Sequence, residues 1–496
     1  VRAPATKSGR KSGRRAAPST VSARLSNRVT LEVRAGGEIA AAFEGYTVGL
    51  GTFSVGTAAR AQELRAGLPL EALRSGGRST DKEINLLLGR LARRGLLEYR
   101  LGGGRESDDL VIVEPQAADY WPQTPPLDHA DTVALSRFAY MRRRGNELVL
   151  ESPRAVALLR ICDPTIASFI ATLAIPRQIK TLRRQAGFPG IALLALLVDC
   201  RIVFKLDLAG DDGPRMAEGD HSLVLWDFHD LLFHTRSTEG RHANPLGGVY
   251  PYAEVIAPLP AVRPPWPGKT IELDKAAAAA PPSNSPVATV LRRRHSTRSF
   301  DAQHPITLAE LARFLDGAAR VLATVKDTAG PAEGIPPDTH TARPYPSAGA
   351  SHELELYITV NACEGLARGF YHYDAGGHAL TPIATATQPL DALLAGAQFA
   401  IGSAAAPQIL ITIAARFGRV SWKYSSLAYS LILKDVGVLT QTFYLMATDL
   451  NLGGCAVGIA NVDVFAKLTG IEFHVEGPVG HFALGRGSTR SINPTA

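Results

Sequence analysis

Cysteine is scarce in this 496-residue chain: four residues, Cys162, Cys200, Cys363 and Cys455, none of them in a Cys-x-x-Cys pair. That pattern excludes a disulfide scaffold and a cysteine-built zinc site, and suits a reducing, cytoplasmic setting. No run of about 18 uncharged apolar residues occurs, so no membrane span is expected. The basic N-terminus is followed by neither an apolar core nor a cleavage site, so no secretory signal is expected either. A Gly-x-Gly-x-x-Gly fingerprint in a βαβ setting is also missing, which leaves a nicotinamide fold without its usual motif.

What is present has a soluble balance, with 46% apolar and 20% charged residues. The length calls for two to four domains. The net charge of +7 is concentrated at one end: Arg2, Lys7, Arg10, Lys11, Arg14, Arg15, Arg24 and Arg28 give +8, leaving the other 468 residues at −1. Residues 1–28 carry no acid and are rich in Ser, Ala, Gly and Pro, so they are expected to be a disordered, solvated tail.

Residues 29–118 are expected to form the first folded unit. Val29–Val33 alternates like a strand, Gly36-Gly37 is a turn into a second strand, and Leu64–Leu73 reads as a short helix. Ile84, Leu87, Leu88 and Leu91 have helical period within Asp81–Arg94. A strand at Gly95–Leu101 and a return at Leu110–Val113 then complete the order of a winged helix. Residues 131–208 repeat that order. Leu135-Ser136-Arg137 echoes Leu25-Ser26-Asn27, and Cys200–Leu206 echoes Gly95–Leu101, which points to an internal duplication.

Winged helices invite a DNA-binding reading, but a DNA reader needs Lys and Arg along its recognition helix. The helix at Ile191–Val198 carries no charge, whereas Asp81–Arg94 holds Arg90, Arg93 and Arg94 beside Asp81 and Glu83. Strand addition by a peptide is the favoured use, and no nucleic acid is expected. Residues 220–286 are a connecting segment. Leu225–Ser237 reads as a buried amphipathic helix whose His229 and His234 are five apart, which is wrong for a metal pair, and a Pro/Ala-rich linker follows.

From residue 287 to 490 the motifs become chemical. Arg294-His295-Ser296-Thr297-Arg298 offers two guanidinium forks around a hydroxyl, a donor set for phosphate and a polyol. Pro346-Ser347-Ala348-Gly349 is a small-residue loop that lets backbone approach a flat ring. It leads into the strand Leu354–Val360; a hairpin follows at Gly369–Leu380 and a buried strand at Gln408–Ile413. Lys423-Tyr424 precedes a long helix, Ser426–Leu450, whose Leu427, Leu431, Val438, Phe443, Leu445 and Met446 give a face for a core or a second subunit. Gly453-Gly454-Cys455 reads as a glycine turn, and His481–Arg486 as a closing strand.

These pieces in this order resemble the nitroreductase superfamily, and within it the SagB/ThcOx-type dehydrogenases, over about 287–487. The stretch Trp226–His234 and the doubled front half also resemble longer members of that group. The resemblance implies an α+β fold: a C-terminal nitroreductase-like FMN domain preceded by two winged-helix-like units. It implies that Arg294, His295, Ser296 and Arg298 hold the FMN phosphate and ribityl chain, and that Pro346, Ser347, Ala348 and Gly349 line the ring. Gly453 and Gly454 would close the site, Arg486 would reach the phosphate, and Lys423 and Tyr424 would be catalytic. Ser425 stands where a glycine often follows that pair. The implied reaction is oxidation of azolines to azoles in a ribosomally made precursor peptide, with oxygen as electron acceptor. The implied partners are that peptide, a cyclodehydratase and a second copy of the chain. A tyrosine hydroxyl is a poor base at neutral pH, and a neighbouring ammonium favours the phenolate. An NAD(P)H-dependent nitro- or quinone reductase and a non-catalytic scaffold are the competing readings.

Overall fold

The computed structural model describes residues 20–43, 46–71, 79–102, 109–117, 119–206, 218, 221–238, 254–255, 257–258, 260–263, 273–274, 285–328 and 337–488. The chain divides into two compact units, 1–218 and 219–496. Most of the expected tail, 1–28, and most of the linker, 220–286, lie outside the described residues.

In the first unit the chain is folded from Thr20, earlier than the expected tail boundary. β1 (Thr20–Leu25) alternates Val21, Ala23 and Leu25 with Ser22 and Arg24, a period of two that the run of basic residues obscured. Ala23 and Leu25 are buried. Next come the antiparallel strands β2 (Thr30–Val33), β3 (Glu38–Phe43) and β4 (Tyr46–Thr52). Ser54 then caps helix α1 (Val55–Glu63) by accepting the Thr57 N–H. The helix expected at Leu64–Leu73 does not form: α1 ends at Glu63, and Gly67, with φ +110°, turns the chain into β5 (Leu68–Pro69). Leu64 and Leu68 are buried and four apart, which imitates a helix. Residues 72–73 of that segment lie outside the described ones. Helix α2 (Ser79–Ala92) buries Ile84, Leu87, Leu88 and Leu91 as the spacing predicts, and β6 (Leu97–Gly102) and β7 (Asp109–Pro115) follow.

The same order then recurs: β8 (Thr132–Leu135), a meander of β9 (Tyr140–Arg144), β10 (Glu147–Glu151) and β11 (Ala157–Ile161), helix α3 (Pro164–Thr172), β12 (Arg177–Gln178), helices α4 (Ile179–Leu182) and α5 (Ile191–Asp199), and β13 (Val203–Leu206). The sheet order β5-β1-β6 matches β12-β8-β13. The loop hydrogen bonds match as well. Leu25 N–H donates to Leu64 O (3.1 Å) as Leu135 N–H does to Leu173 O (2.7 Å). Ser26 N–H donates to Leu96 O (3.0 Å) as Ser136 N–H does to Ile202 O (2.8 Å). Strand β7 pairs with β11, so the full sheet runs β5-β1-β6-β7-β11-β10-β9.

Glu98 on β6 is buried between two guanidinium groups, accepting Arg24 Nε–H (2.6 Å) and Arg160 Nη2–H (2.7 Å). Breaking a buried pair from one side costs more than the pair contributes, because the remaining charge keeps its desolvation penalty. Glu98→Ala is therefore expected to destabilise the first unit by on the order of 3 kcal/mol. Urea unfolding measures this, and a loss below about 1 kcal/mol, the surface-pair range, would contradict it.

In the second unit, helices α6 (His221–Val224), α7 (Phe228–Arg236) and α8 (Pro286–Arg293) come first. They are followed by β14 (Ile306–Thr307), helix α9 (Leu308–Ala319), β15 (Ala323–Lys326) and β16 (Thr339–Ala342). The main strands and helices are β17 (Leu354–Val360), the short β18 (Cys363–Glu364), β19 (Gly369–Asp374), β20 (Ala379–Ile383), α10 (Thr387–Ile401), β21 (Ile409–Arg416), α11 (Phe417–Ser421), α12 (Ala428–Asp449), β22 (Gly453–Val457), α13 (Val462–Thr469) and β23 (Glu476–Gly485). Six of these strands make one antiparallel sheet, β20-β19-β17-β21-β23-β22. On one face Phe482 packs with Phe314 of α9 and Phe443 of α12, the Phe443 ring centroid 5.3 Å from each. On the other, Tyr357, Leu410 and Ala483 share a core with Leu390, Leu393 and Leu394 of α10 and Phe465 of α13. The expected strands, hairpin and long helix are all present, and the fold is α+β. Among the described residues no helix is long and apolar enough to cross a membrane.

The buried stripe of α12 differs from the expected one. It runs Ala428, Ile432, Asp435, Leu439, Phe443 and Ala447, at helical steps of three and four. Leu427 and Val438 are exposed instead, and Leu431, Leu445 and Met446 are half-buried. The apolar residues outnumber what one face holds, so sequence spacing alone did not single out the face that packs inward.

Candidate functional site

The chemical residues gather in two groups. In the first, α8 ends at Arg293 and the chain continues without regular structure through Arg294–Ser299. The Thr297 N–H donates to Gly454 O (2.8 Å), which ties this loop to β22. Gly453 and Gly454 lie in that edge strand, not in a turn as expected; the turn is at Asn451, φ +54°. Both must be glycine for packing: a Cβ on Gly453 would sit 2.6 Å from Thr297 Cγ2, and one on Gly454 would run into the Phe482 ring. Tyr444 of α12 shares a 2.9 Å hydrogen bond with Ser296 Oγ, accepts the Ala456 N–H at 2.9 Å, and lies under the Arg294 guanidinium, 5.2 Å from its ring centroid.

His295 is exposed and bonds the Arg293 carbonyl through Nδ1 (3.1 Å). Among the described residues neither Arg294 nor Arg298 is paired with a carboxylate. Two unneutralised guanidinium groups with a serine hydroxyl between them fit a phosphate monoester. Arg486 stands apart: its guanidinium is held by both oxygens of Glu310, at 2.8 and 2.9 Å. Glu310 is also the capping-box residue of α9, so the ion pair anchors a helix start, a tie invisible in sequence. Reaching a phosphate would mean breaking that pair.

In the second group the loop Pro346–Gly349 meets Lys423 and Tyr424. Gly349 has φ +57°, and a Cβ there would overlap the Tyr424 hydroxyl and sit 2.8 Å from Lys423 Nζ. Lys423 Nζ lies 3.4 Å from the Gly349 carbonyl and 5.6 Å from the Tyr424 ring centroid. Ala350 and His352 are also left-handed, with φ +54° and +44°. Such backbone costs on the order of 1–3 kcal/mol per residue, so it persists only where its surroundings hold it. The Ala348 N–H donates to Asp435 Oδ2 (2.8 Å), and the His352 N–H to Ser347 Oγ (2.8 Å). His352 Nε2 donates to the Tyr345 carbonyl (3.1 Å), which leaves Nδ1 to accept from Thr341 (3.2 Å). Burial holds that imidazole below its usual pKa, favouring this neutral form.

Beneath the loop, Glu353 is fully buried next to Asp435. Burial, and then the Asp435 charge, push the Glu353 carboxyl up to about 7, and burial raises Asp435 as well. Protonation of either carboxyl relieves the repulsion. Sequence reading missed Tyr444, Asp435, Glu353 and His352. Asp435 offered a signal, a carboxylate within an otherwise apolar helical stripe; Tyr444 offered none.

The two groups do not meet within one chain. Asp435 and Tyr444 are nine residues apart on α12, which at about 3.6 residues per turn is two and a half turns, so they leave the helix on opposite sides.

Residues 291–486 match the nitroreductase family. MJ1384, a nitroreductase-type protein of Methanocaldococcus jannaschii, is 32% identical over 169 residues, 34% of this chain and 76% of that protein. The chain belongs to the nitroreductase family. A second match, over residues 133–243, is to the cyanobactin oxidase ThcOx. Among solved structures, a nitroreductase-type protein from Ralstonia eutropha is 21% identical with a TM-score of 0.32, covering 42% of this chain and 88% of its own. The E. coli microcin synthetase McbBCD complex with truncated pro-MccB17 bound is 19% identical with a TM-score of 0.38, covering 54% of this chain and 96% of its own.

Both carboxyls of the Glu353–Asp435 pair are held above their unfolded values. Their contribution therefore favours the folded state at low pH and is lost as pH rises through about 7. The melting temperature of the second unit is expected to fall over that range, and Glu353→Gln to flatten the fall by roughly 2–4 °C. Differential scanning fluorimetry across pH checks this, and parallel curves for the two proteins would contradict it.

Proposed function

We propose that this chain is an FMN-dependent dehydrogenase that oxidises thiazoline or oxazoline rings to azoles in a ribosomally made precursor peptide. The observation that carries the reading is the seating of Lys423 and Tyr424 on Gly349, in the small-residue loop proposed to line the flavin ring. The ThcOx match over 133–243 supports a peptide oxidase over a small-molecule reductase.

Arg294, Ser296 and Arg298, with His295 beside them, would hold the FMN phosphate and ribityl chain; Gly453 and Gly454 let that loop sit against β22. Pro346, Ser347, Ala348 and Gly349 would lie against the ring. Arg486 is better assigned to Glu310 than to the phosphate. FMN, when bound, would supply the hydride-accepting chemistry, with dioxygen as the oxidant that would restore it. Tyr424 takes the proton lost from the azoline carbon, and Lys423, near both the Tyr424 ring and the loop carbonyl, orients it.

Because the phosphate-binding and ring-lining groups lie on opposite sides of α12, we place the complete site at a homodimer interface, the loop of one protomer meeting the basic segment of its partner. Exposed Val438 on α12 and Leu427 just before it suit that contact. The two repeated front modules, read as winged-helix-like units at 29–118 and 131–208 with the first extended to Thr20, serve to dock the precursor peptide or a cyclodehydratase. A cytoplasmic location goes with this role.

The test is a visible spectrum of the purified protein, followed without oxygen as a synthetic thiazoline-containing peptide is added. Flavin absorbance is expected to bleach with peptide alone, and in Tyr424→Phe to bleach about 100-fold more slowly. Bleaching only with NAD(P)H would support a reductase instead, and an unchanged Tyr424→Phe rate would remove Tyr424 as the base.

A further inference from the structure

Lys423 and Tyr424 sit in a short connection, residues 422–427, between α11 and α12. Lys423, Ser425, Ser426 and Leu427 are exposed. Ser426 is left-handed, φ +61°, a conformation that a β-carbon disfavours by roughly 1–2 kcal/mol. Helix α12 also lacks a side-chain cap of its own, since its cap residue is Leu427. Left to itself, such a segment would fray.

It is held from a distant part of the chain. Helix α7 begins immediately after Asp227, whose Oδ2 accepts the Ser426 N–H at 2.6 Å. His229 Nε2 donates to the Ser426 carbonyl at 3.0 Å. Both backbone groups of Ser426 are thus satisfied by two side chains at one end of α7. One turn further, Asp230 Oδ2 lies 3.4 Å from the Tyr429 N–H, and His234 Nδ1 shares a 3.0 Å hydrogen bond with the Tyr429 hydroxyl. Carboxylates at Asp227 and Asp230 also face the positive end of the α12 dipole. The base of the clamp is fixed by Trp226, whose Nε1–H donates to the His474 carbonyl (2.8 Å) and whose ring centroid is 4.6 Å from that of Phe417 on α11.

We propose that Asp227 and His229 are positioning residues that hold Ser426, and through it the side chains of Lys423 and Tyr424 against Gly349. Neither touches the reacting atoms. They act by fixing, from the segment before the linker, the residue that leads into α12, while Asp230 takes the Tyr429 N–H of the helix's first turn. The effect on turnover rests on the proposed role of Lys423 and Tyr424; the clamp itself does not.

The test uses the full-length, FMN-loaded protein and its Asp227→Ala/His229→Leu variant. Hydrogen exchange at the amides of 423–429 is expected to quicken about ten- to hundredfold, the loss of two hydrogen bonds, one of them accepted by the Asp227 side chain. Exchange around Leu439–Phe443, and the bound flavin content, are expected to stay unchanged. Single-turnover flavin reduction by the thiazoline peptide is expected to slow with KM unaltered. His229→Gln, whose amide can still donate to the Ser426 carbonyl, is expected to restore both signals. Where the double variant does not fold, His229→Leu alone serves, because the His229 side chain is 58% exposed. Unchanged exchange at 423–429 would overturn the clamp. Quickened exchange with an unchanged reduction rate would support the clamp while removing the catalytic role of the Lys-Tyr pair.

Discussion

The second unit depends on how α12 is packed. Its 22 residues bury one narrow stripe, with Phe443 wedged between Phe314 and Phe482, and that packing fixes the helix against both α9 and the sheet. Once the stripe is fixed, the other positions are fixed too. Asp435 is delivered beneath the Pro346–Gly349 loop and Tyr444 beneath the Arg294–Arg298 loop. A rigid rod thus sets the two halves of the candidate site relative to one another.

Asp435 shows what that arrangement costs. A carboxylate in a buried stripe loses its hydration, and Glu353 beside it makes matters worse. The compensation is local. Asp435 accepts the Ala348 N–H, and burial raises both carboxyls, which favours their protonated forms. The loop above contains three left-handed residues, Gly349, Ala350 and His352, so it needs such anchors to hold its shape. Strain in the loop and a destabilised carboxyl beneath it are paired features of one site.

The first unit meets a different demand, which is to join two copies of a module. Strand β7 extends the first copy and pairs with β11 of the second, so the two copies share one seven-stranded sheet. The repeat is kept in backbone hydrogen bonds more faithfully than in side chains. Gly95 and Arg201 hold equivalent left-handed turns, φ +64° and +54°, before β6 and β13, although one is glycine and the other is not. Where a turn is over-determined by its hydrogen bonds, residue identity is free to drift.

Much of this was legible from residue order. The buried strands β17 and β21, the hairpin β19–β20, the helical period of Ile84–Leu91 and the echo between Leu25-Ser26 and Leu135-Ser136 all follow from local periodicity and turn chemistry. So did the residue types of the candidate site, because small residues, guanidinium forks and a Lys-Tyr pair carry their chemistry with them. The sequence could not say which apolar face of α12 turns inward, that Arg486 is taken by Glu310, or that Glu353 lies against Asp435. Nor could it join Asp227 to Ser426 across some 200 positions. Sequence alone determined the local elements and the chemical inventory, since both depend on neighbours within a few residues. Which of those groups meet, which are neutralised and which stay available was decided only by the tertiary structure, because burial and charge pairing depend on residues far apart in the chain.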